Sequence, residues 1–148
     1  MVTEIKNLRI AWLVPSAWFY WQPTLSEFSK LFPNTKVFTA LFPGYTKGYE
    51  SYLDIELVGS FKVLGGQQNL AKPHYGSAFT SLSPKIILRL FQYRPKLIFT
   101  NSFGFWTILA LLFKYIGRWQ VVIAYEGSAP GVDFRTSPLR LWIRKMMV

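Results

Sequence analysis

Glu126 is the acid in this sequence best placed to do chemistry. It stands one residue beyond the apolar run Gln120 to Ala124, after Tyr125, where a carboxylate can accept a hydrogen bond from a hydroxyl or take its proton. Pairing with a nearby cation such as Arg135 is the competing role. Trp18, Phe19, Tyr20 and Trp21 form a run of aromatic residues. Flat faces with polar tips suit apolar or sugar-like ligands, and they suit packing against a further domain equally well. Asn101 and Ser102 fall between a strand-like and a helix-like segment. They can cap that helix, or its exposed N-terminus can hold an anionic or hydroxyl group there.

Other chemistries are excluded by residue type. The chain has no Cys, hence no disulfide framework, no thiolate nucleophile and no Cys-ligated metal. Its single His, His74, cannot build a multi-histidine metal site, and no acid lies near it in sequence to orient it as a base. No G-x-G-x-x-G follows the first apolar run, where Pro15-Ser16-Ala17-Trp18 stands instead, and there is no P-loop. A dinucleotide pyrophosphate therefore has no glycine turn to approach.

With 17 Lys and Arg against 7 Asp and Glu, the formal net charge is +10, which favours polyanionic partners. The cations are dispersed among large apolar residues, without a basic arm, zinc-finger spacing or ribonucleoprotein-type aromatic motif. Nucleic acid is thus the less favoured partner and an anionic membrane surface the more favoured one. Arg140, Arg144 and Lys145 with Trp142 would make the membrane-surface face of a last helix, the tryptophan inserting at the interface. Lys85 and Arg89 read as an ordinary solvated face.

The 148 residues are 51% hydrophobic and 16% charged, enough apolar material for one core and incompatible with intrinsic disorder. The N-terminus is not a signal peptide. The longest apolar stretch, Phe103 to Phe113, is far short of the about 20 residues that span a bilayer. A cytoplasmic protein is expected, peripheral at the inner face of a membrane if its surface charge is used there.

The elements that must position these residues follow from pattern. Leu8 to Val14, closed by Pro15, reads as a buried first strand. Thr24 and Glu27 predict a capping box for a helix whose face is Leu25, Phe28, Leu31 and Phe32. Lys36 to Phe42 is a second strand, and Ile55 to Val58 with Phe61 to Leu64 a third, bulged at Gly59. Gly65 to Ser81 is a long loop. Ser83-Pro84 predicts a helix start, and Ile86, Ile87, Leu90 and Phe91 its buried face, up to Pro95. Leu97 to Thr100 is a strand; Phe103 to Ile116 is a helix apolar on nearly every side, expected to be buried. Gln120 to Ala124 is a strand and Tyr125 to Thr136 a loop. Ser137-Pro138 opens a last helix that meets no Gly or Pro before Val148, as in an interrupted chain.

This alternation predicts an α/β fold, a Rossmann-like open parallel sheet with helices on both faces. Ligands of such sheets sit at the carboxyl ends of the strands. The site is therefore expected in Pro15 to Gln22, Pro43 to Tyr49, Asn101 to Gly104 and Tyr125 to Ser128.

Arg94-Pro95-Lys96-Leu97-Ile98-Phe99-Thr100-Asn101-Ser102, an apolar helix, then Val121-Val122-Ile123-Ala124-Tyr125-Glu126-Gly127 resembles the amino-terminal domain of GT-B glycosyltransferases of the group 1, or family 4, type. The order of elements matches over essentially the whole chain. Lys96 stands where the family often has Asp, and Tyr125-Glu126 where it often has His; the loop after the first strand lacks the usual glycine pair. The resemblance implies that residues 1–148 are the acceptor-side half of a nucleotide-sugar-dependent transferase. The carboxyl-terminal donor domain would be absent, and the isolated half inactive. It implies acceptor contacts from Ser16, Trp18, Tyr20, Asn101, Ser102 and Tyr125, with Glu126 as proton acceptor. No cofactor would be bound by this half, the nucleotide-sugar belonging to a second domain or subunit. The acceptor would be a carbohydrate or lipid-linked. The alternative is a non-enzymatic membrane-surface or scaffold module that binds a partner chain.

Overall fold

The computed structural model describes residues 7–62, 80–101, 103–124, 142 and 145–146. Five parallel strands form one open sheet in the order β3-β2-β1-β6-β7, namely β3 (Ile55–Leu57), β2 (Thr35–Leu41), β1 (Ile10–Ser16), β6 (Leu97–Asn101) and β7 (Gln120–Ala124). The chain winds outward from β1 in one direction, then returns to its other side, so β1 and β6 flank a topological switch point. The fold is α/β and Rossmann-like.

The register follows from which residues must be buried. Parallel strands covered on both faces are apolar at consecutive positions, and Ile10 to Val14 are all buried. Alternate residues serve opposite layers. Ile10, Trp12, Val14 and Val37 meet Leu25 of helix α1 (Gln22–Leu31). Ala11, Leu13, Phe38 and Ile98 meet Ile86 and Leu90 of α2 (Ile86–Tyr93) and Trp106 and Ala110 of α3 (Phe105–Leu112). A short α4 (Lys114–Gly117) follows α3, and the buried Trp119 indole donates to the Ala110 carbonyl at 2.9 Å, tying this layer to the start of β7.

Several expectations are corrected. β1 runs through Pro15 to Ser16 instead of stopping before it. Helix α1 begins at Gln22 and makes no side-chain cap, so Thr24 and Glu27 form no capping box. Pro23 suits the first helical turn, and a turn in which the Trp21 N–H donates to the Trp18 carbonyl starts the coil upstream. Glu27 pairs with Lys30 instead, at 2.6 Å. The buried face of α1 is Gln22, Leu25, Ser26 and Ser29, while Leu31 is exposed.

The expected bulged third strand is two strands that part at Gly59, whose φ of +84° turns the chain out of the sheet. β4 (Ser60–Lys62) pairs antiparallel with β5 (Thr80–Leu82), within what the sequence assigns to a loop. The remainder of that loop, with His74, lies outside the described residues, as do the Tyr125 to Thr136 loop and the Ser137-Pro138 helix start. Ser83 is not the N-cap and Pro84 not the first helical residue: they form a turn in which the Ser83 carbonyl accepts from the Ile86 N–H at 3.0 Å, and α2 starts at Ile86 with Lys85 as its uncapped N-cap. The apolar helix after β6 is shorter than expected and is not buried all round. Only Trp106, Thr107 and Ala110 of α3 are buried, because one face alone meets the sheet. No helix among the described residues is long and apolar enough to cross a membrane.

Candidate functional site at the carboxyl edge

Pro15 decides where the sheet opens. The Ile10 N–H donates to Asn34 on the β2 side, and the Arg9 carbonyl accepts from Lys96 on the β6 side. Odd-numbered residues of β1 therefore turn their backbone groups toward β6. Pro15 has no N–H to offer there, and the last β1 residue in register with β6 is Leu13, opposite Thr100. The ladder on the β2 side continues, through Ser16 opposite Leu41 and Ala17 N–H to the Leu41 carbonyl at 2.9 Å. Pairing between β1 and β6 thus ends at Leu13 and Thr100, while β1 stays paired on its β2 side through Ser16.

The chain leaving β1 there is aromatic. Ala17 is buried, and Trp18, Phe19 and Tyr20 are 37, 65 and 58% exposed. Phe19 and Tyr20 meet edge to face at 5.7 Å, and Tyr20 adjoins Trp21 at 6.3 Å. Trp21 turns inward toward Trp12, also at 6.3 Å. One end of the run is fixed in the core and the other presents three rings to solvent.

Gln22 fixes this turn against the next loop. Its side chain is fully buried. Its Nε2 donates to the Gly44 carbonyl at 2.8 Å, and its Oε1 accepts from the Thr46 N–H at 2.6 Å. One amide thereby satisfies a donor and an acceptor of the β2–β3 loop, as buried polar groups require. Gly44, with φ of +123°, supplies a conformation that side chains disfavour. In the same loop Phe42 and Tyr45 meet edge to face at 4.8 Å, and the Tyr45 hydroxyl donates to the Leu53 carbonyl at 3.3 Å.

On the far side of the opening, Asn101 is half-buried as the last residue of β6, in register with Ala124. It does not cap α3, whose N-cap is Gly104 with extended backbone and no side-chain bond. A Cβ on Gly104 would collide with the Trp106 ring, which lies over it.

Of the residues singled out in the sequence, Ser16, Trp18 and Tyr20 thus lie on one continuous turn, and Asn101 ends the neighbouring strand across the opening. Ser102, Tyr125, Glu126, Arg140 and Arg144 are outside the described residues; Trp142 and Lys145 are helical and exposed. Gln22 was not foreseen. Nothing in its sequence neighbourhood marks it, because its partners are backbone groups 22 and 24 residues away. No group of three or more His, Cys, Asp or Glu placed to hold a metal occurs among the described residues. The edge can stack flat faces and offer hydroxyl and amide hydrogen bonds. No family model, curated protein or solved structure matches the chain.

Proposed function

We propose that this chain is the acceptor-binding lobe of a nucleotide-sugar-dependent glycosyltransferase of GT-B architecture, a hexosyltransferase when complete. The observation that supports the reading is the exposed Trp18-Phe19-Tyr20 turn, held by Gln22 beside the carboxyl ends of β1 and β6. It offers ring faces to a saccharide where a glycine turn would otherwise admit a pyrophosphate. Ser16, Asn101, Ser102 and Tyr125 contribute acceptor hydrogen bonds, and Glu126 takes the proton of the attacking hydroxyl. A second domain or subunit brings the nucleotide-sugar, and only closure of the two orients the reactants. The lobe by itself is inactive. It works in the cytoplasm, on a carbohydrate or lipid-linked acceptor, and at the inner face of the membrane in the latter case.

Titration of the chain with p-nitrophenyl hexosides, followed by tryptophan fluorescence, tests this reading. Saturable binding is expected for one hexoside, weakened about tenfold by Trp18→Ala through loss of one stacking contact. UDP-glucose at the same concentrations is expected to leave the signal unchanged. Tight UDP-glucose binding, or hexoside affinity indifferent to Trp18→Ala and Tyr20→Ala together, overturns it.

A further inference from the structure

The charge of this protein is not spread over it. Residues 1–56 hold five of the 17 cations and five of the 7 acids, so the whole net charge of +10 belongs to residues 57–148. Not one Asp or Glu occurs between Leu57 and Tyr125. The fold then brings part of this excess into line with Arg9. Arg9 immediately precedes β1, Arg94 and Lys96 precede β6, and Arg118 precedes β7. These three strands are parallel neighbours with their first residues in register, Ile10 with Leu97 and Leu97 with Gln120. Backbone bonds hold the row together, Lys96 N–H to the Arg9 carbonyl and Gln120 N–H to the Lys96 carbonyl, both at 2.9 Å. Strands lie about 4.8 Å apart, so the cations stand side by side at the amino edge of the sheet.

All four side chains are exposed, and none makes an ion pair among the described residues. Among the described residues, the acids at the amino end of β3 are already engaged. Asp54 and Glu56 lie 3.4 and 3.3 Å from Lys36, and Glu56 lies 3.1 Å from Arg89. Arg9 and Arg94 share a shallow cavity with Leu88, Phe91 and Gln92. At the end of α3 and in α4, Leu112, Tyr115 and Ile116 are 66, 82 and 71% exposed, beside Lys114 and just before Arg118.

We infer that the amino edge of the sheet, with the α3–α4 corner beside it, is a docking surface for an anionic lipid bilayer. The row of exposed cations supplies the attraction to acidic headgroups, and Leu112, Tyr115 and Ile116 supply apolar side chains to enter the interface. Two of these three apolar groups are aliphatic, which favours a membrane over nucleic acid, whose stacking platforms are aromatic. Its residues are other than Arg140, Trp142, Arg144 and Lys145, and it does not rest on the glycosyltransferase reading. It has a consequence for that reading. The carboxyl edge lies about 20 Å away, one strand length, and faces the solution, so a lipid-linked acceptor must carry its sugar well clear of the headgroups.

Flotation of the full chain with vesicles decides the matter. Binding is expected with phosphatidylcholine containing about one-third phosphatidylserine, and release on raising salt from about 0.1 to about 0.5 M. Each cation near the surface is worth about fivefold in affinity, so Arg9→Glu, Lys96→Glu and Arg118→Glu together should weaken binding at least roughly a hundredfold. Leu112→Ser with Ile116→Ser should weaken it less, and Lys30→Glu, on the neutral half, should leave it unchanged. Circular dichroism of each variant reports that the fold is kept. Should the triple variant lose its fold, the single Lys96→Glu and Arg118→Glu variants, each expected to weaken binding about fivefold, carry the same comparison. The inference is overturned by equal binding to pure phosphatidylcholine, by no binding to either vesicle, by charge-reversed variants that bind as tightly as the parent, or by preference for poly(U) RNA over the acidic vesicles.

Discussion

The two ends of the same sheet are built on opposite principles. At the carboxyl edge, the buried Gln22 amide finds a partner on each side, sitting between Gly44 and Thr46, and the rings of Phe42 and Tyr45 meet in the same loop. At the amino edge beside β6 and β7, charged groups are exposed and find none among the described residues. Short-range contacts fix the first edge, whereas the second acts through a field that reaches about 10 Å and fades with salt. Substitutions at the first should therefore be felt in stability, and those at the second in attraction to other molecules.

The strongest challenge to this contrast is Gln22→Ala. It leaves the Thr46 N–H and the Gly44 carbonyl without their partner and should cost about 2–3 kcal/mol, lowering Tm by about 4–12 °C in a thermal melt. The loss should be the same at low and high salt. A salt-dependent or negligible loss would mean that the loop is held by something other than this amide.

A smaller effect is expected where the two principles meet. The Tyr93 hydroxyl donates to the Asn34 carbonyl at 2.6 Å. Burial first, then the Asp54 carboxylate, pushes its pKa up to about 12, with Arg9 opposing. The folded state thus holds this proton more tightly than the unfolded chain, whose tyrosine ionises near 10. Its contribution is complete below about pH 10 and is lost as pH rises to about 12. The group is half-exposed, so screening limits that contribution to about 1 kcal/mol. Tyr93→Phe should remove this alkaline loss from denaturant titrations at pH 9 and about 11.5, at the cost of about 1 kcal/mol at neutral pH.

Smallest of all should be Lys96→Glu and Arg118→Glu taken singly. Exposed and without an ion pair among the described residues, each should move unfolding free energy by no more than about 0.5 kcal/mol. A much larger loss in urea titration would show that these cations are part of the packing, and would erase the contrast between the edges.

The parallel sheet was legible because its strands read as short apolar runs between polar or turn residues; Leu97 to Thr100 and Gln120 to Ala124 appear almost at their observed bounds. The break at Gly59 was not, since a positive φ and a bulge leave the same glycine in the sequence. β5 is Thr80-Ser81-Leu82, too short and too polar to carry an alternation. The apolar helix misled because hydrophobic residues on its outer face, Leu112 among them, meet no sheet. At the site, the aromatic turn was visible as a cluster of residue types. The Gln22 clamp was invisible, because carbonyls and N–H groups are common to every residue. The amino-edge row was hidden for a related reason: Arg9, Lys96 and Arg118 are remote in sequence and become neighbours only through strand register.

Pro15 gives the opening at the switch point a property that glycine could not. Its ring restricts the backbone to φ near −65°, so the end of β1 is stiff just where its pairing with β6 stops. A guest seated against that turn would not first have to still it, and little of its binding free energy would go into ordering this part of the host.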